Sequence, residues 1–207
     1  MELAFAAALL GGLAVVGGEA LRSGALPHWF GVARVVAEGA ALVLCVRGIP
    51  AVAPVAVLAA VLLPLGGHAA GVLPAGGAEL ADALHVLSAG MWGGGILALA
   101  SLQPPGGWKS PEARRLLERF AGVALIAFAV TALTGVLRAT EQLAALSDLW
   151  STPYGVVLSL KSLGVVVMLA LSSLAWRRGL PVARLEAGVA ALVIALTALL
   201  AAYPLPA

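Results

Sequence analysis

The sequence predicts an all-α fold, a polytopic bundle of about seven transmembrane helices, and three observations carry that reading. Of the 207 residues 62% are hydrophobic and only 11% charged. Mean hydropathy is +1.06, more than a water-soluble domain of this size tolerates. Apolar runs rich in Ala, Gly, Leu and Val recur along the chain, each close to the roughly 20 residues that carry a helix across a bilayer. None shows the period-two alternation of a membrane barrel.

Seven spans are expected, at 3–21, 30–46, 51–65, 81–102, 116–137, 154–176 and 181–203. The first begins without a basic leader or a small-residue cleavage pattern, so it is expected to persist as a helix. The third, with Pro50, Pro54 and Pro64, is expected to be short or kinked. In this arrangement Arg47, Lys109, Arg114, Arg115, Arg119, Arg177, Arg178 and Arg184 share one side, against Arg22 and Arg138 on the other. Basic flanks mark the cytoplasmic side, which sets the N-terminus in the cytoplasm of a bacterial inner membrane and the C-terminus outside. A net charge of +2 is ordinary for such a protein, and no nucleic-acid surface is read from it. The bilayer is the expected surrounding.

The stretch 82–99, DALHVLSAGMWGGGILAL, places an imidazole, a thioether and an indole in one apolar helix. Polar groups at such depth need a reason. His85 and Trp92 are seven residues apart and share a face, while Gly90 and Gly94 are spaced to admit a neighbouring helix. The topology puts His28 in the first outer loop, His68 at the outer end of the third span and His85 one turn into the fourth. The segment 66–82 has no Lys or Arg and reads as an outer loop whose glycines let His68 fold back toward His85.

Five further features stand out. Arg34 and Glu38, at i and i+4, form either a structural ion pair facing the bundle or part of an ion or proton route. Ser110-Pro111-Glu112 reads as an N-cap, a first-turn proline and an early acid, so a helix restarts there. Thr131 and Thr134 bond to their own helix or a neighbour, and the outer segment 141–155 reads as a short interfacial helix anchored by Trp150 and Tyr154. Lys161, two turns from the outer end of its span, snorkels outward, pairs with Glu38 or Glu141, or stands on a cation path.

Imidazole and thioether donors suit Cu(I), whereas Ca²⁺ and Mg²⁺ require oxygen ligands that are scarce here. His85 and Met91 lie on different flanks of one helix, so His68 with His85 is the better pair. Two other classes stay open: a haem b-binding electron carrier with axial histidines, and a scaffold or accessory subunit without a ligand. The single Cys45 gives neither a disulfide nor a thiol cluster. P-loop, GxSxG and HExxH motifs and paired catalytic carboxylates are absent, which leaves an enzymatic reading without support.

The ordered series Gly67-His68-Ala69, Leu84-His85, Trp92-Gly93-Gly94, Arg119-Phe120, Thr134-Gly135, Thr152-x-Tyr154-Gly155 and Leu160-Lys161, followed by a helix opened by Glu186, resembles the CopD copper-resistance membrane proteins. The resemblance runs over 67–207, leaving 1–66 as N-terminal spans without a match. It implies copper translocation or delivery at the inner membrane, often beside a periplasmic CopC-like copper-binding protein. It carries His68 and His85 as candidate ligands and Trp92, Tyr154 and Lys161 as motif positions. Ala121 stands where the family has serine, the final prolines are split as Pro204-Leu205-Pro206, and no Met-rich or His-rich tail is present.

Overall fold

The computed structural model describes residues 2–24, 26–66, 75–108, 110–178 and 183–202, and among these every regular element is helical. The order is α1 (Glu2–Ser23), α2 (Trp29–Val46), α3 (Val52–Leu62), a 3-10 turn (Pro64–Gly66), α4 (Ala75–Ser101), α5 (Pro111–Gln142), α6 (Asp148–Ser151), α7 (Pro153–Arg178) and α8 (Ala183–Ala202). Five helices are long and apolar enough to cross a membrane: α1, α2, α4, α5 and α7. The 20-residue α8 is apolar too. The third expected span is cut to 11 residues, about 16 Å at 1.5 Å per residue against a hydrocarbon core near 30 Å. Pro64 starts a tighter 3-10 turn there instead of continuing the helix.

Two compact units divide inside α4, at residues 1–87 and 88–207. In the first, α1 and α2 run antiparallel: Gly12 sits against Val35 and Glu38, and Gly31 against Val16. The turn after α2 is a Schellman cap. Gly48 N–H donates to Cys45 O at 3.0 Å and Ile49 N–H to Leu44 O at 2.9 Å, with Gly48 at φ 65°. Only glycine takes that conformation at no steric cost.

The second unit centres on Trp92, Ile96, Ala127, Met168 and Ala190, with Phe120, Phe128, Val165 and Val193 around them. A smaller cluster of Tyr154, Val157 and Leu200 lies on α7 and α8. Helix α5 starts as the sequence predicts: Ser110 Oγ accepts from Ala113 N at 3.3 Å and Pro111 follows in the first turn. Its 32 residues span about 48 Å, longer than the hydrocarbon core. The excess is the first turns, where Glu112, Arg114, Arg115, Glu118 and Arg119 are all exposed.

Three local expectations are corrected. The loop expected over 66–82 is helical from Ala75, since Ala75–Leu84 holds no proline to stop α4 from starting early. The interfacial helix expected over 141–155 shrinks to the single turn of α6, because α5 itself runs on to Gln142 and Thr152-Pro153 starts the next helix. Among the described residues no atom lies within 4 Å of a Cβ placed at Gly90 or Gly94. The close approach is at Gly95, against the Phe120 ring.

Candidate functional site

Helix α5 buries one narrow face. Ala127, Thr131, Thr134 and Arg138 are all at most 8% exposed, and their 4-3-4 spacing aligns them along the axis. Three of the four are polar, so this seam is the main polar feature of the second unit. Thr131 Oγ1 donates to Ala127 O at 2.8 Å. The same Oγ1 meets Ser88 Oγ on α4 at 2.8 Å, a contact in which either hydroxyl can donate. Thr134 Oγ1 donates back to Val130 O at 2.7 Å and to Thr131 O at 3.2 Å. Replacing Ser88 by alanine is expected to cost only about 0.6 kcal/mol, because Thr131 keeps its bond to Ala127. The midpoint of detergent-induced unfolding checks this.

Arg138 continues the seam toward the C-terminal end of α5, where Nη1 donates to Glu141 Oε2 at 2.7 Å. Next to it Tyr154 OH donates to Gln142 Oε1, tying the start of α7 to the end of α5. The Thr152-x-Tyr154-Gly155 series thereby gains a physical account. Thr152 caps α7 by accepting from Gly155 N at 3.0 Å and donates its own proton to Asp148 O at 2.8 Å. Pro153 pre-sets the first helical φ. Gly155 lies against the carbonyl of Asp148, where a side chain would overlap backbone. At the opposite end of α7, Ser172 Oγ donates to the buried Glu186 on α8.

The sequence-predicted site residues are distributed unevenly. His68 lies outside the described residues, so its expected pairing with His85 does too. His85 is half-buried on α4. His28 is exposed at the start of α2, its ring stacked on Phe30 at 5.1 Å and 6°. Met91 is 55% exposed, whereas Trp92 is 5% exposed and meets Phe128 edge to face at 5.0 Å. Glu38 pairs with Arg34 at 3.5 Å, Lys161 is half-buried on α7, and Tyr154 is buried. Among the described residues no group of three or more His, Cys, Asp or Glu side chains could hold a metal.

Sequence reasoning missed Ser88, Gln142, the Ser172–Glu186 bond and the burial of Arg138. For Arg138 the signal was present, since it extends the spacing of Thr131 and Thr134 by one turn, but a basic residue near a span end reads as a topology marker. The cross-helix bonds had no signal in one chain's sequence.

Helices of this length and composition, with a buried polar seam, define a multi-pass integral membrane protein. Within that class the chain is similar to one family over part of its length: the family model described as CopD, Copper resistance protein D, matches residues 114–201. That stretch runs from the exposed arginines of α5 through the seam and the α7 cap to the end of α8. The chain is also 36% identical over 111 residues to the copper transport protein CutJ of Bacillus subtilis (strain 168), covering 52% of this chain and 20% of that protein. It thus spans about a fifth of the length of the curated relative it matches. No solved structure matches.

Proposed function

We propose that this chain binds copper and moves it across or into a bacterial inner membrane, taking it up through His68 and His85 on the outer side. The observation that carries the reading is the CopD match over 114–201 in a chain of membrane-spanning helices. The copper transport relative supports it. In this reading copper is cargo, and the role is that of a carrier rather than an enzyme. His28, Met91, Trp92, Glu38, Tyr154 and Lys161 are the proposed surroundings of the path or of the ligands. A neutral imidazole is a fitting ligand for Cu(I), and a half-buried position on α4 shields it from competing water. The basic ends of α5 and α7 support a cytoplasmic N-terminus and an outer C-terminus. A periplasmic CopC-like copper-binding protein is the proposed partner, and residues 67–207 the proposed extent of the CopD-like part.

The test is copper-dependent accumulation in cells producing the wild type or His85→Ala. Accumulation should drop to the level of cells lacking the protein, with membrane insertion unchanged. Undiminished accumulation at equal protein level would overturn the assignment. His68→Ala should reproduce the effect, and elemental analysis of purified protein should show copper in the wild type and little in either variant. A Soret band in the purified protein would instead favour haem.

A further inference from the structure

The first unit holds a cavity of about 210 Å³ among α1, α2, α3 and the residue after α3. Its wall is Phe5, Ala8, Ala41, Ala56, Ala59, Ala60 and Leu63, all apolar, together with Glu38. Glu38 sits in the middle of the 18-residue α2, at the depth where an ionisable group is most expensive. Its side chain is only 13% exposed, and Oε2 is fully buried without a hydrogen-bond partner. Arg34 Nε is in the same condition, and its 3.5 Å contact with Oε1 is an ion pair but not a hydrogen bond. Gly12 on α1 is what admits the carboxyl, since a Cβ there would overlap Oε2.

A buried acceptor with no donor is costly for an ionised carboxylate; Oε2 itself is closed off against Gly12, while the Glu38 side chain borders the cavity. A hard cation needs six or more oxygen ligands, and among the described residues Glu38 is the one wall residue with a polar side chain. Among the same residues a soft cation finds no sulfur or nitrogen donor in that wall. Any cation would also face the Arg34 guanidinium across the carboxylate. Water fits: one molecule occupies about 30 Å³, so the volume holds several, bonded to each other beside the Glu38 side chain. The groups facing the carboxyl are few. Arg34 lies on the same helix, with Cys45 two turns further on. The wall residues of α1 are Phe5 and Ala8, with Glu19 about two turns beyond Gly12. Val52–Leu62 and Pro64–Gly66 contain nothing titratable.

We propose that Glu38 is a proton-binding site: its carboxyl exchanges a proton with water that enters this cavity. Glu38 is also among the proposed surroundings of the copper path, but this proposal rests on the cavity and the buried carboxyl and does not depend on that reading. The probe is dicyclohexylcarbodiimide, applied to membrane vesicles carrying the full chain. Only a protonated carboxyl reacts: its proton passes to a carbodiimide nitrogen, its oxygen bonds the central carbon, and the adduct rearranges to a stable N-acylurea. Peptide mass spectrometry should find the label on Glu38, with yield falling about tenfold per pH unit beyond the titration point of the group. Glu38→Gln should lose it, while Glu186→Gln should leave the Glu38 label in place. In the infrared, the carboxyl carbonyl band lost in Glu38→Gln should shift in D₂O, and Ala59→Leu, which fills the cavity, should slow that shift at least tenfold. A Glu38 that takes no label at any pH where the protein stays folded is a fixed ionised partner of Arg34, and overturns the proposal. So does a labelled Glu38 whose band ignores D₂O. The labelling reading uses the wild type alone, so a variant that fails to fold leaves that test intact.

Discussion

Replacing Trp92 by alanine is expected to destabilise the second unit by about 2–3 kcal/mol. In a water-soluble core this change costs about 3–5 kcal/mol, part of it transfer of the side chain from water and part the cavity left behind. In a bilayer the unpacked helix still surrounds the indole with lipid, so most of the transfer part falls away and the packing part remains. Trp92 is 5% exposed, packs with Ile96, Ala127 and Met168, and meets Phe128 edge to face. Alanine removes the aromatic contact and leaves Met168 and Phe128 facing a void. Thermal unfolding of the detergent-purified protein reads the loss, and Trp92→Phe should recover more than half of it. The same pair separates packing from transport. If Trp92 serves packing, Trp92→Phe keeps copper accumulation. Accumulation lost at an unchanged unfolding midpoint would place the indole on the path instead.

Gly155→Ala should be at least as damaging, about 3 kcal/mol, for a different reason. The new methyl would stand 2.6 Å from the carbonyl carbon of Asp148 and 2.7 Å from Cα of Leu149. These are backbone atoms and cannot rotate aside, so α6 has to separate from α7, at the upper end of overpacking costs. The separation breaks Thr152 from Asp148 O and Ser159 from Leu149 O, now 2.8 and 3.1 Å. A lower unfolding midpoint should come with faster proteolysis of the 143–152 segment. A loss below about 1 kcal/mol would mean that α6 has slack and that this contact does not hold the α7 start in place.

Tyr154 shows how a motif position changes meaning once neighbours are known. In the sequence it was an interfacial anchor and a family position without a role. In the structure its ring is in the core and its hydroxyl holds Gln142. Arg138 moved in the same direction, from a marker of the outer side to a buried member of the α5 seam.

The sequence by itself determined the helical, membrane-spanning character of this protein, the Ser110-Pro111 start of α5 and the Arg34–Glu38 pair. All of these are composition or contacts within one helix, where spacing alone fixes which atoms meet. The tertiary structure decided which face of each helix is buried, that α3 stops after three turns, and that Ser88 meets Thr131 and Ser172 meets Glu186. In water the apolar stripe of a helix would have announced its buried face. Here the helices are apolar all round, because lipid and protein core ask for the same side chains, and only the packing of one helix against another selects the face that turns inward.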